Sequence, residues 1–223
     1  MTFRGKLYTC PAGQDKPLRR VLDIGTGTGI WAMDFGKSTK EVSVPPNVQF
    51  FVDDVESEWA YVSKFDLIYT RMMTGSLGNW PQFIKEAYEN LNPGGWVEFV
   101  DIGYISCDDG SLPADSALQK WTRYIDDAAV KINRPMNAAK SHAKNLQDAG
   151  YIHVQETHYK WPTNQWPKDP HFKELGRWTT ENMGGGLQAI SMALLTRVLG
   201  WSTEEVEVFI AKTWEREKCD RAH

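Results

Sequence analysis

Three glycines at alternating positions follow an acidic residue: Asp23-Ile24-Gly25-Thr26-Gly27-Thr28-Gly29. Glycine adopts positive φ without steric cost, so such a run allows a tight turn and close backbone approach to a bound group. Where a helix opens directly after it, the first N–H groups face that group and favour negative charge. The spacing discriminates among ligands. A dinucleotide fingerprint, G-x-G-x-x-G, needs glycine at position 30, where Ile30 stands. A phosphate-cradling loop must end in Gly-Lys-Ser/Thr, and this loop does not.

The remaining common reading of acid-x-Gly-x-Gly-x-Gly is the loop that binds S-adenosylmethionine, with S-adenosylhomocysteine as its product. Asp23 would face the ligand's ammonium, while the backbone of Gly25, Thr26, Gly27 and Gly29 approaches its carboxylate. Methyl transfer from a sulfonium is an in-line displacement, and alignment of acceptor, methyl and sulfur supplies much of the acceleration. A general base matters only for a hydroxyl or a similarly protonated acceptor, so no catalytic residue is assigned.

Other chemistry-bearing residues carry two readings each. Glu98 and Asp101, at a strand end, either orient an acceptor or are the polar end of a buried strand. His142 lies on a helix, as a base or as a buried neutral side chain. The five histidines do not cluster; His153 and His158 are five apart in an extended stretch and face opposite sides, so no metal site is expected. Gly184-Gly185-Gly186 has no strand before it and reads as a flexible loop between helices. Trp161, Trp166 and Trp178 either line an acceptor pocket or pack against the sheet.

The elements that must hold these residues alternate. Residues 20–24 form a short apolar run between Pro17 and Gly25 and read as a buried strand. Residues 30–35 read as the helix after the glycine turn. Further strands are expected over 48–52, 65–69, 96–100 and 151–159. A helix over 81–91 places Phe83, Ile84, Ala87, Tyr88 and Leu91 at helical spacing, with Asn92-Pro93-Gly94-Gly95 as its stop. Helices are expected over 115–132, 138–149, 187–199 and 202–218, the last opening on the capping box Ser202-Thr203-Glu204-Glu205. Strands alternating with helices predict an α/β, Rossmann-like, doubly wound and mostly parallel sheet with helices on both faces and a helical cap. A single domain over 1–223 is expected, with cap or lid elements near 108–148 and 160–218.

Composition fits that class. The 223 residues are 41 % hydrophobic and 24 % charged, the balance of an ordinary globular domain. The net charge is -4, from 25 Lys+Arg against 29 Asp+Glu, without a basic stripe, which argues against nucleic acid as a partner. Cys10, Cys107 and Cys219 are far apart, so neither a disulfide framework nor a zinc site is expected, and a reducing compartment, cytoplasmic or nuclear, fits best. No apolar run approaches the roughly 20 residues that span a bilayer, and no membrane partner is expected.

The segment Val21-Leu22-Asp23-Ile24-Gly25-Thr26-Gly27-Thr28-Gly29-Ile30-Trp31-Ala32 resembles the first motif of the fungal LaeA-like class I methyltransferases. Val44-Pro45-Pro46-Asn47-Val48, Asp53-Asp54-Val55-Glu56, Phe65-Asp66-Leu67-Ile68-Tyr69-Thr70-Arg71 and Leu91-Asn92-Pro93-Gly94-Gly95-Trp96-Val97-Glu98 are similar to further family segments. Gly5-Lys6-Leu7-Tyr8 and Trp166-Pro167-Lys168-Asp169-Pro170 extend the resemblance along nearly the whole chain. It implies that Asp53 or Asp54, with Val55, lies toward the adenine amine, and that Arg71 and Met72 follow the strand beside which the methyl group sits. It implies a small-molecule acceptor, as in secondary metabolism, and leaves room for a protein partner or a homo-oligomer.

Three departures accompany it. Residues 35–44 lead almost directly into Pro45-Pro46, about a dozen short of the family's second strand with its ribose-binding acid. The family's additional N-terminal helical segment and its further C-terminal strand are not matched either. Residues 40–44 cannot run down a strand and return, at about 3.3–3.6 Å each. Either residues between Lys37 and Pro45 are separated by a break in the chain, or the sheet lacks that strand. A sheet without it supports the competing reading, a pseudo-methyltransferase serving as an interaction protein or catalysing a non-methylating reaction.

Overall fold

A computed structural model describes residues 2–37, 46–103, 105–107 and 112–219, with only the backbone described over 214–219. The expectation about the stretch from Lys40 to Val44 falls outside the described residues. The chain divides into two compact units. One comprises Phe3–Ile102 with Ala138–Glu156, the other Gly103–Asn137 with Thr157–His223.

The first unit is built on three parallel strands in the order β1-β2-β3: β1 (Val21–Ile24), β2 (Phe65–Arg71) and β3 (Leu91–Val100). Helix α1 (Ile30–Lys37) connects onward from β1, and α2 (Trp80–Glu89) links β2 to β3. This is the α/β, Rossmann-like arrangement that the alternation predicts. Register decides which side chains share a face, because paired residues in a parallel sheet point the same way. Leu22, Ile68 and Val97 pair, as do Ile24, Thr70 and Phe99. Their apolar members pack with Trp80, Phe83, Ile84 and Ala87 of α2. Asp23, Tyr69 and Glu98 pair on the opposite face. There Trp31 of α1 stacks on Tyr69 at a centroid distance of 4.2 Å and an interplanar angle of 4°. Helices therefore cover both faces.

Local chemistry sets the ends. Asn79 caps α2 through the Gln82 N–H, with Pro81 in the first turn, where its missing N–H costs nothing. Asp66 ties the three strands at their starting edge: its carboxylate accepts from the Arg19 and Arg20 N–H groups at 2.8 and 3.0 Å and from the Asn92 amide at 2.8 Å. The turn at 92–95 does not precede the strand but is drawn into it, as the irregular start of β3 beside Phe65. Gly95 is required there, since a Cβ would lie 2.9 Å from the Asn92 carbonyl oxygen.

Two expected strands do not form. Residues 48–52 carry no strand; Phe51 and Val52 are exposed. Strand propensity needs a partner ladder, and among the described residues none pairs with this segment. Residues 151–159 are likewise irregular. Tyr151 is anchored on α2, its hydroxyl donating to the Ile84 carbonyl at 3.2 Å and its ring edge-on to Tyr88. His153 then turns left-handed at φ 56°, which breaks an extended run. The helix before it, α4 (His142–Asp148), follows a 3₁₀ turn at Ala138–Ser141 and ends at Gly150 with φ 97°.

The second unit is helical: α3 (Ala117–Lys131), α5 (Pro170–Arg197) and α6 (Thr203–Cys219). Leu118, Trp121 and Ile125 of α3 meet Leu187 and Leu195 of α5 and Val206 of α6 in one core. Inside it the Trp121 indole N–H donates to the Ser191 hydroxyl at 2.7 Å. The capping box forms as predicted, Ser202 and Glu205 exchanging bonds of 2.8 and 3.1 Å. An open groove of about 530 Å³ is lined by Tyr124, Asp127, Val130, Lys131, Leu199 and Trp201. None of Trp161, Trp166 and Trp178 lines it.

Gly184, Gly185 and Gly186 are not a loop. They lie within α5, whose packing at Leu175, Leu187, Ser191 and Leu195 outweighs a helix cost near 1 kcal/mol per glycine. A Cβ at Gly185 or Gly186 would meet nothing within 4 Å. Replacing both with alanine is therefore expected to raise stability by about 1–2 kcal/mol, read as a Tm increase of roughly 2–8 °C. A lowered Tm would show that these glycines serve a conformation other than this helix.

Candidate functional site

The polar face of the sheet converges on the end of β1. Asp23 is half-buried, and burial pushes its carboxyl above the usual carboxylate range; the Thr26 hydroxyl bonded to it and the Arg71 guanidinium oppose that shift. Tyr69, between Asp23 and Glu98, is 1 % exposed, its hydroxyl pushed up to about 12 by burial. Arg71, two residues on, belongs to the same face and acts on both Asp23 and Tyr69. The result is a desolvated carboxylate beside a glycine turn, with an arginine near it.

The glycine turn has the conformation its sequence demands. Gly25, Gly27 and Gly29 all lie at positive φ, 71°, 56° and 76°. The Gly29 N–H bonds the Thr26 carbonyl at 2.9 Å, and the Met33 N–H bonds the Gly29 carbonyl at 2.9 Å to begin α1. Their surroundings differ. A Cβ on Gly25 would lie 2.3 Å from the Met73 sulfur, and one on Gly29 would lie 2.8 Å from Phe50. At Gly27 the nearest atom would be the Gly25 carbonyl oxygen at 4.0 Å. The Cβ positions of Gly25 and Gly29 are taken by Met73 and Phe50, whereas that of Gly27 is open.

The remaining predicted residues are distributed unevenly. Met72 directly follows β2 at φ 58°, rare for a residue with a Cβ, and its N–H bonds the Val100 carbonyl at 2.8 Å. Asp53 and Asp54 are exposed and serve their own turn. Asp53 accepts from the Asp54 N–H at 2.9 Å, and Asp54 from the Glu56 N–H at 3.0 Å. Asp53 also lies near enough to Tyr61 to raise its hydroxyl, after burial. The Val55 carbonyl accepts from the Trp59 indole at 3.0 Å. The structure thus gathers Asp23, the glycines, Thr26 and Arg71, and leaves Asp53 and Asp54 in a surface turn whose Phe50 end touches Gly29.

Glu98 and the segment before β1 complete the polar face. The Glu98 carboxylate accepts from the Thr9 N–H at 3.0 and 2.8 Å, from the Thr9 hydroxyl at 3.1 Å and from the Cys10 N–H at 2.6 Å. Of its two readings, the polar end of a buried strand is the one the contacts support. The Trp31 indole donates to the Leu7 carbonyl at 2.7 Å, fixing the same segment from α1. The Cys10 thiol is pushed up to about 12, by burial first, then by the adjoining Glu98 carboxylate. No single-sequence signal connects residues 9–10 to Glu98, nor Met73 to Gly25, because the contacts join distant parts of the chain. Among the described residues no cluster of three His, Cys, Asp or Glu side chains could hold a metal ion, and no helix is long and apolar enough to cross a membrane.

A family profile described as a methyltransferase domain matches residues 6–165, well over half the chain. The chain belongs to the S-adenosylmethionine-dependent methyltransferases. Within the family it is 38 % identical, over 236 positions, to the secondary metabolism regulator LAE1 of Cochliobolus heterostrophus, covering 98 % of this chain and 77 % of that one. It is 38 % identical to the methyltransferase pytC of Aspergillus terreus, covering 97 % and 70 %. It is 31 % identical to the protein-methionine methyltransferase laeA of Emericella nidulans, covering 86 % and 56 %. This methyltransferase is thus of the fungal LaeA-like kind, as its motifs predicted. The alignment with LAE1 spans more positions than the 223 residues present, so at least 13 of them (236 less 223) have no residue in this chain.

Proposed function

We propose that the end of β1 and the glycine turn bind S-adenosylmethionine and that the methyl acceptor is a small molecule of secondary metabolism. The observation that carries this reading is the pairing of an open backbone at Gly27 with a desolvated carboxylate at Asp23. Asp23 faces the ligand's ammonium, and the N–H groups around Gly25, Thr26, Gly27 and Gly29 take its carboxylate. Arg71 and Met72, at the end of β2, flank the reacting end. Asp53, Asp54 and Val55 serve the adenine end, which requires their turn to exchange internal bonds for the ligand. The bound cofactor supplies an electrophilic methyl on a sulfonium. The protein's share is to align donor and acceptor and to desolvate them.

A second reading has its own observation. A shortfall of at least 13 positions against LAE1, if it falls after α1, removes the ribose contacts and leaves an interaction protein with a weak donor site. Calorimetric titration with S-adenosylmethionine and S-adenosylhomocysteine separates the two. Binding at micromolar concentration supports the first; no heat at millimolar ligand overturns it. Methyl-labelled donor offered to small-molecule and protein fractions of a fungal extract then locates the acceptor. Label confined to protein would replace the small-molecule acceptor with a protein one.

A further inference from the structure

Asp101 directly follows β3, and its side chain is 3 % exposed. One carboxylate oxygen, Oδ1, accepts three bonds: from the Thr74 N–H at 3.0 Å, from the Thr74 hydroxyl, and from the Ile102 N–H at 3.0 Å. The other oxygen faces the Nε2 atom of His142 at 3.8 Å. Thr74 sits in the turn after β2, between the left-handed Met72 and Gly75 at φ 58° and 74°. A bond of 2.9 Å from the Ser76 N–H to the Met73 carbonyl closes that turn. Met73, inside it, is 9 % exposed, and its sulfur occupies the space a Gly25 Cβ would need. A continuous chain of contacts therefore runs from Asp101 through Thr74 and Met73 to the glycine turn.

Of its two readings, His142 is found as a buried side chain. Among the described residues neither of its buried ring nitrogens has a hydrogen-bond partner, and its ring lies 4.2 Å from that of Trp80 and 5.8 Å from that of Phe99.

We propose that Asp101 is the positioning residue of the methyl-transfer site: through Thr74 it locks the Met72–Gly75 turn so that Met73 braces Gly25 and holds the glycine turn in its ligand-ready form. A left-handed residue that carries a side chain, as Met72 does, is costly for the backbone and persists only where neighbours fix it. Two hydrogen bonds from Thr74 to a buried carboxylate supply that fixation, while the third, from the Ile102 N–H, holds the carboxylate itself. The proposal rests on the cofactor reading for its effect on binding, but the brace itself is a property of the free protein.

The experiment uses the full chain labelled with ¹³C at its methionine methyl groups, with the Met73 resonance assigned from a Met73→Leu variant. Asp101→Ala is expected to shift the Met73 resonance and to weaken S-adenosylhomocysteine binding at least about tenfold, the scale of one lost bond to a charged group. Asp101→Asn keeps an oxygen for the three donors and is expected to restore the resonance and bring affinity within about threefold of the parent. Thr74→Val loses the hydroxyl but keeps the N–H, and is expected to shift the resonance less far in the same direction. It decides the matter if Asp101→Ala fails to fold. An unshifted Met73 resonance in a folded Asp101→Ala or Thr74→Val protein overturns the brace. So does an Asp101→Asn variant as impaired as the alanine, since charge facing His142 would then matter instead. If the parent binds no S-adenosylhomocysteine, the cofactor reading fails by itself and the Met73 resonance alone judges the brace.

Discussion

Replacing Gly27 with valine is expected to abolish S-adenosylmethionine binding in a protein that still folds. The three glycines of the turn are not equivalent in what they demand. A side chain at Gly25 or Gly29 would strike Met73 or Phe50, so loss of binding there could follow from loss of structure. At Gly27 the space is open, and the cost is conformational: φ is 56°, and a left-handed residue with a Cβ costs about 1–2 kcal/mol. That corresponds to a Tm decrease of roughly 2–8 °C, within the reach of a folded state. The valine side chain would meanwhile project where the ligand's carboxylate must approach the backbone, and an affinity loss of at least about 100-fold, some 2.8 kcal/mol, is expected. Circular dichroism and thermal melting establish the fold, and calorimetry measures binding. Parental affinity in a folded Gly27→Val protein would place the cofactor away from this turn.

Asp23→Asn is expected to do two opposite things, weaken the cofactor and relieve the fold. A hydrogen bond to a charged group is worth about 1.5–3 kcal/mol, so removing the carboxylate's charge should cost roughly 10- to 100-fold in S-adenosylmethionine affinity. In the free protein, the carboxylate is desolvated and its pKa is raised. The sign of the linkage follows. With the folded value above the ordinary 3.8, the folded state holds its proton more tightly than the unfolded one, so the group favours folding at low pH. That contribution is lost as pH rises through the folded value, and above it the ionised form is a net cost. The substituted amide carries no such cost. The variant should therefore melt at or above the parent's temperature at pH 7, with the difference shrinking as pH falls through the titration of Asp23. A variant that melts lower at pH 7 than at pH 4, relative to the parent, would show that the ionised carboxylate stabilises the free fold and is not held for a cation.

Both predictions concern residues that could be read directly from the chain, and the reason is that their chemistry is local. The glycine turn is specified by its own φ requirements and by the helix that follows it. α2, α3 and the Ser202–Glu205 capping box depend on contacts within a few residues, so periodicity and cap chemistry were enough to find them. The family motifs fixed the reaction class for the same reason: they are contiguous.

What tertiary structure alone decided was partnership across distance. The stretch 48–52 has the composition of a strand but, among the described residues, no strand beside it, and composition cannot supply the missing ladder. Gly184–Gly186 looks like a loop until α3 and α6 give α5 a core to pack against, which outweighs the helix cost of three glycines. The pairing of Asp23 with Tyr69 and Glu98 is set by strand register. The capture of Glu98 by Thr9 and Cys10 spans some 89 residues of chain, and the brace from Asp101 to Thr74 spans 27. Each of these joins groups whose proximity costs chain entropy and is repaid only when the whole sheet has formed. No window of sequence contains both partners, and for that physical reason the glycine turn could be read from the residues while its support could not.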